Sequence, residues 1–258
     1  MGEVAAARRQ ELPQLLDRSE LKGFLHCHTS YSDGSNTVEQ LALACQAAGY
    51  EYLGVTDHSQ AAAYAGGLSP DDLARQAEEI DEVNGRLSGF RILKGIEADI
   101  LQDGRVDYEE RVLEALDFVI ASIHSRFNMG PREMTARMLA AMDNPYLTII
   151  GHPTGRLLLS RDPYPIDLDA VIEKAAASGV AMEINADPHR LDLDWRLARK
   201  ARDAGVVISI GADAHSVAGL EYVDYGVGMA RKAWLGREHV LNARPAEEFV
   251  GFAKRRRG

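Results

Sequence analysis

The stretch FLHCHTSYSDG, Phe24 to Gly34, sets two histidines two residues apart directly after an apolar pair, and an aspartate before a glycine. Read as the end of a β-strand, it sends successive side chains to opposite faces. His26 and His28 then share one face and Cys27 takes the other. Two imidazoles on one face suit a metal ion. Two ordinary half-buried histidines are the alternative, and this fragment alone does not choose between them.

Working outward, short apolar strands alternate with amphipathic helices. The first strand is Phe24 to His28, followed by a helix from about Thr37 with Gly49 placed as its cap. The second strand is Tyr52 to Thr56. The next helix opens on SPDD, with Ser69 as N-cap and Pro70 in the first turn. The third strand, RILKGIE, ends at Glu97, and the fourth runs from Phe118 to Ser122. Leu147 to Gly151 is the fifth, VAMEIN the sixth and Val206 to Gly211 the seventh. A long loop, PTGRLLLSRDPYP, comes after the fifth strand, and Pro245 opens a last helix. Seven strand–helix units in strict alternation imply an α/β protein with a parallel sheet, closed or nearly closed as a barrel. An open doubly wound sheet is the alternative, but no GxGxxG comes after the first strand.

The length of 258 residues and 46 % hydrophobic content suit one barrel domain. No run is long and apolar enough to span a membrane, and the N-terminus lacks the apolar core of a secretion signal. Met1-Gly2 opens like a myristoylation signal, but Ala6 stands where Ser or Thr is required. The only cysteines are Cys27 and Cys45, without a CxxC, as expected for reduced thiols in a cytoplasmic protein. The net charge of −10 argues against a general nucleic-acid coat. It leaves room for a nuclease whose bound cations reverse the local field.

The residues at the strand ends decide between the two readings of His26 and His28. These two end the first strand, Asp57-His58 the second and Glu97 the third. His124 lies just past the fourth, His152 past the fifth, and Asp213 and His215 past the seventh. Six of the eight histidines therefore lie at or just past strand C-termini; His189 and His239 are the exceptions. In a parallel barrel these ends meet at one rim, where barrel enzymes keep their chemistry. Imidazole and carboxylate donors without thiolate suit zinc, manganese or iron.

The ordered motifs HCHT…SDG, TDHS, KGIE, IHS, GHPTGR, EINA and DAH closely resemble those of the polymerase-and-histidinol-phosphatase (PHP) family. HPTGRLL, EINADPHRLDL, the tail YGVGMARKAWLGREHVLNARPAEEF and the linker-like ELPQLLDRSELKG resemble, more narrowly, the C-terminal PHP domain of bacterial family X DNA polymerases. The resemblance implies a distorted seven-stranded (β/α)7 TIM-like barrel over residues 21–258, preceded by a linker-like helical segment, residues 1–20. It implies three divalent transition metal ions (Zn, Mn or Fe). His26, His28, Glu97 and Asp213 would hold the first. Glu97 would bridge to a second completed by His124 and His152, and Asp33, His58 and His215 would hold the third. Asp33 stands where some relatives carry histidine.

Three divalent ions set against three carboxylates make a trap for phosphate. Arg126 and Arg156, on rim loops, are the candidates to grip its oxygens, against a plain reading as solvated surface charge. Arg161 and Arg190 are weaker candidates. Asn185 would orient water or substrate, or cap a turn. Asp57 is expected to face away from His58 and to support the ligands. The basic run Lys254 to Arg257 is expected to complement the dipole of the last helix, with a grip on DNA as the alternative.

The implied activity is a metal-dependent phosphoesterase acting at DNA 3′ ends, of the 3′-5′ exonuclease type. A small-molecule phosphatase such as a histidinol-phosphatase is the alternative. An amidohydrolase-type enzyme, which also uses HxH, and a non-catalytic accessory domain of a DNA polymerase are the others. The expected partners are DNA ends or a small phosphorylated substrate, no membrane, and a polymerase core in cis or in trans.

Overall fold

The fold is seen in a computed structural model that describes residues 2–257; Met1 and Gly258, the outermost residues of the two segments expected from the sequence, lie outside it. The strands are β1 (Gly23–Cys27), β2 (Tyr52–Val55), β3 (Arg91–Lys94), β4 (Glu97–Asp99), β5 (Ile120–Ser122), β6 (Ile149–Ile150), β7 (Ala181–Asn185) and β8 (Ile208–Ala214). They form one sheet in the order β3-β2-β1-β8-β7-β6-β5-β4, and every ladder is parallel. Between them run α2 (Val38–Ala47), α3 (Pro70–Arg86), α4 (Glu110–Glu114), α5 (Pro131–Ala141), α6 (Leu168–Ser178) and α7 (Trp195–Asp203); a short α1 (Glu3–Arg8) precedes β1, and α8 (Val223–Lys232) and α9 (Ala246–Lys254) follow β8. Thr37 and Ser69 close capping boxes on α2 and α3, Ser69 at the N-cap position read from the sequence.

Among the described residues the sheet has eight strands where seven are expected. The expected third strand is two, β3 and β4, parted at Gly95-Ile96. β3 pairs with β2, and β4 pairs with β5. The cause of the break is steric. A Cβ on Gly95 would lie 2.5 Å from the Phe118 ring and 2.7 Å from the Val55 carbonyl oxygen, so only glycine lets the chain pass from one neighbour to the other. The two ends of the curled sheet therefore lie in one continuous segment.

Alternation along each strand divides the apolar residues into two cores. Phe24, Leu53, Val55, Ile92, Val119, Ile150, Met182, Ile184 and Ile210 join the large cluster that includes the helices. Leu25, Tyr52, Leu93, Phe118, Ile120, Ile149 and Ala181 face inward and form a second cluster with Leu241, Phe249 and Phe252. The tail helix α9 thus stoppers the barrel at the N-terminal ends of the strands, opposite the rim.

The basic tail does not wait for DNA. Arg255 donates to the carbonyl of Gly179, the C-cap of α6, at 2.8 Å, and Arg256 to Met142, the C-cap of α5, at 2.5 Å. Arg257 reaches Leu116, just past α4, at 2.8 Å. These arginines satisfy carbonyls at the ends of three other helices rather than their own. At the other terminus α1 covers only six residues, and the extended chain after it packs down. Leu16 is fully buried, and its N–H donates to the Leu235 carbonyl at 2.9 Å.

Candidate metal centre

The rim carries all nine residues singled out as ligands, and it brings them together. Among the described residues, the groups of His, Asp and Glu able to hold an ion are His28–Asp33–His58–His215, His26–His152–Asp213, His26–His28–Glu97 and His58–Glu97–His124. No residue outside the expected nine takes part.

Glu97 is fully buried at the centre, with five imidazoles around it. Its Oε1 lies 3.3 Å from His26 Nε2, 3.3 Å from His124 Nε2 and 2.9 Å from His152 Nε2. Its Oε2 lies 3.1 Å from His58 Nδ1 and 3.7 Å from His28 Nε2. Burial alone would raise its pKa; His124, His26 and His58 instead hold it well below the usual carboxylate range. Asp33, half-exposed, approaches His215 Nε2 at 3.4 Å, His58 Nε2 at 3.6 Å and His28 Nδ1 at 3.7 Å. His58 thus stands between the Glu97 centre and the Asp33 group.

Getting His26 into this site takes a break in the strand. Its neighbour Leu25 already faces inward, so strict alternation would send His26 outward. Instead His26 adopts φ 59°, and the β1–β8 register slips between Leu25 and Cys27. This bulge turns two successive side chains inward and re-aims the imidazole. Asp213 on the facing strand has φ 52°, and His152 has φ 22°. Non-glycine residues in this region cost about 1–3 kcal/mol each. Three such residues at one rim mean that the surrounding strands hold the ligand geometry against local preference.

Two supporting carboxylates were missed from the sequence. Glu183, fully buried on β7, accepts from His26 Nδ1 at 2.6 Å and from the His152 backbone N–H at 2.7 Å. Asp99, on β4, accepts from His124 Nδ1 at 2.7 Å. Each leaves the Nε2 of its histidine turned to Glu97. Burial opposes a charge on His124, yet Glu97 and Asp99 lift its pKa to about 10. Both carboxylates had a signal: Asp99 shares the face of Glu97 two residues on, and Glu183 is a lone acid in the apolar run VAMEIN. Gly211 makes the Glu183 contact possible, because a Cβ there would collide with Glu183 Oε1 and lie 2.9 Å from His26 Cβ. Glu183→Gln is expected to lower metal affinity or turnover by about 10–100-fold, read by metal titration and steady-state rates. An unchanged titration together with unchanged rates would show that Glu183 does not support the site.

The remaining expectations divide. Asn185 donates to Asp213 Oδ2 at 3.1 Å and accepts from the Asp187 N–H at 3.1 Å, so it both orients a candidate ligand and closes a turn. Asp57 accepts from the Thr29 N–H at 2.7 Å and from Gln76 at 2.6 Å, pinning the turn that carries Asp33. Arg126 is exposed, and its side chain makes no hydrogen bond or ion pair among the described residues. Arg156 is spent elsewhere: its Nε donates to the Arg190 carbonyl at 2.9 Å, and its Nη2 to that of Leu191. The guanidinium at the site is that of Arg190, with Nε 3.3 Å from Asp213 Oδ2 and a buried Nη1 that makes no hydrogen bond among the described residues. Arg161 donates to the Gly155 carbonyl and stacks over Phe127 at 4.1 Å.

The donor set passes a test for metal on its own terms. Among the described residues, His26 Nε2, His28 Nδ1, His58 Nδ1, His152 Nδ1 and Glu97 Oε2 are buried and make no hydrogen bond, although His58 Nδ1 and Glu97 Oε2 lie only 3.1 Å apart. Unpaired buried polar atoms are costly, and so many in one cluster point to cations as the missing partners.

The PHP domain model matches residues 25–187, more than half of the chain. The chain belongs to the PHP domain family. It is 44 % identical over 242 residues, 94 % of its length, to the DNA polymerase/3′-5′ exonuclease PolX of Bacillus subtilis, and spans 42 % of that longer protein. It is 30 % identical to a probable phosphatase of Syntrophotalea carbinolica, over 88 % of this chain and 94 % of that one. Among solved structures, the histidinol phosphate phosphatase of Lactococcus lactis, complexed with zinc, L-histidinol and phosphate, superposes with a TM-score of 0.59 at 16 % identity, over 83 % of this chain and 95 % of that one. That likeness establishes the TIM-like fold. As a PHP protein the chain is a metal-dependent phosphoesterase. No helix among the described residues is long and apolar enough to cross a membrane.

Proposed function

We propose that this PHP protein hydrolyses phosphoester bonds at DNA 3′ ends, as a 3′-5′ exonuclease, with three divalent ions held by His26, His28, Asp33, His58, Glu97, His124, His152, Asp213 and His215. Residues 21–258 are the catalytic unit, residues 1–20 are the linker-like segment, and a polymerase core, in cis or in trans, is the natural partner. The observation that supports this most is the 44 % identity to the Bacillus polymerase-exonuclease across nearly the whole chain, in a chain that keeps a competent donor at every ligand position.

Divalent ions bound there supply an activated water near neutral pH and neutralise charge on the phosphoryl oxygens. The chain's own groups do the rest. Glu183 and Asp99 hold His26 and His124 with Nε2 facing Glu97. Arg190 presents a free, buried Nη1 beside Asp213, suited to a non-bridging phosphate oxygen. Arg156 holds the Arg190–Leu191 backbone in place, and exposed Arg126 stands ready for an adjacent phosphate.

Two measurements test the reading. Elemental analysis of protein purified without chelators is expected to give two to three transition-metal ions per chain; less than one would overturn the cluster. With manganese present, a labelled oligonucleotide end is expected to be processed with higher catalytic efficiency than histidinol phosphate. The opposite preference would favour the second reading, a small-molecule phosphatase, which is supported by the nearly end-to-end match to a probable phosphatase.

A further inference from the structure

Tyr64 is the one large side chain in AAAYAGG, Ala61 to Gly67. It is 71 % exposed, so no apolar neighbour buries it. Its ring centroid lies 6.1 Å from that of His58 and 6.4 Å from that of His124, edge-on to the latter. The phenol therefore flanks the metal centre, and its hydroxyl makes no hydrogen bond among the described residues.

The loop that carries it is stiff. The Leu68 N–H donates to the His58 carbonyl at 2.9 Å, the Ala62 N–H to Ser59 at 2.9 Å, and the Ala61 N–H to Asp107 Oδ2 at 2.9 Å. Tyr108 Oη closes the far end on the Leu68 carbonyl at 2.5 Å. A Cβ on Gly67 would collide with the Ser59 carbonyl oxygen, so the tight turn requires glycine. An exposed aromatic ring, ringed by alanine and glycine on a preorganised turn, has no role in folding. It has the form of a stacking surface.

We propose that Tyr64 stacks against the base of the terminal nucleotide and so sets the enzyme's preference for nucleic-acid ends; this rests on the 3′-end reading above. A nucleotide carries its base one sugar away from the phosphate, so a phosphate seated among His58, His124 and Glu97 brings a planar ring to Tyr64. Stacking tolerates every base, which suits an exonuclease that must accept any sequence.

The test compares wild type, Tyr64→Ala and Tyr64→Phe, with manganese, on an oligonucleotide and on the same oligonucleotide ending in a base-free residue. Tyr64→Ala is expected to raise KM for the normal end about tenfold, with kcat and metal content little changed. Tyr64→Phe keeps the ring and should match wild type. On the base-free end all three should be alike. An unchanged KM in Tyr64→Ala, or an equal loss on the base-free end, overturns the stacking role while leaving the 3′-end reading in place. Wild-type enzyme that turns over histidinol phosphate but neither oligonucleotide overturns that reading, and this inference with it.

Discussion

Glu97→Gln is expected to cut hydrolysis by more than about a thousandfold while the protein stays folded. The carboxylate faces five imidazoles, at 2.9 to 3.7 Å, and it is shared by two of the candidate ion groups. Glutamine keeps the shape and removes the negative charge that would offset the cations these two groups could hold. Loss of the several kcal/mol that bound cations contribute to phosphoryl transfer, at about 1.36 kcal/mol per decade of rate, gives that magnitude. The fold should survive, because histidines left without their counter-charge can shed protons at neutral pH, and because the apolar strand faces lie elsewhere. Steady-state rates at saturating manganese, metal content and near-ultraviolet circular dichroism together make the measurement. Near-normal turnover at saturating metal would remove Glu97 from the centre. His239→Ala, outside the cluster, should leave turnover unchanged.

Phe249→Ala is expected to cost about 3–5 kcal/mol of stability with little change in kcat of the folded enzyme. The ring is fully buried in α9, 5.6 Å from the Tyr52 ring and 5.2 Å from that of Phe118, edge-on to the latter. It fills the end of the barrel that the β1–β8 sheet leaves open away from the rim. Strand backbones around it cannot collapse inward, so the cavity would persist and the cost should fall in the upper part of the range. Denaturant unfolding at fixed metal concentration reads this, since bound metal adds its own stabilisation. A loss below about 1 kcal/mol would show that α9 merely covers the barrel.

The ligand inventory was legible because barrel chemistry is encoded locally. A strand's C-terminus can be found from its apolar run, and parallel strands must deliver those ends to one rim. That was enough to single out His26, His28, His58, Glu97, His124, His152, Asp213 and His215, while Asp33 came only from the resemblance to the PHP family; the structure gathers all nine. Asp99 and Glu183 escaped because alternation was traced only as far as each strand's most obvious ligand. The sequence favours Arg156 over Arg190, but sequence spacing does not show where five guanidinium donors go. Two of those of Arg156 close on the backbone at Arg190 and Leu191.

By itself, the sequence determined most of the strand–helix units, the helix caps and the candidate ligand residues, which rest on period, caps and residue chemistry within a few positions and, for Asp33, on resemblance to a family. Tertiary structure alone decided the rest. The expected third strand splits at Gly95 because the Phe118 ring, from the segment leading into β5, occupies the space a side chain would need. His26 turns inward against the alternation because its register is set by β8, nearly two hundred residues away. The last helix becomes a core element, and the arginines after it become caps for three other helices. In each case the deciding partner is distant in sequence, and only the curling of the sheet brings it into contact.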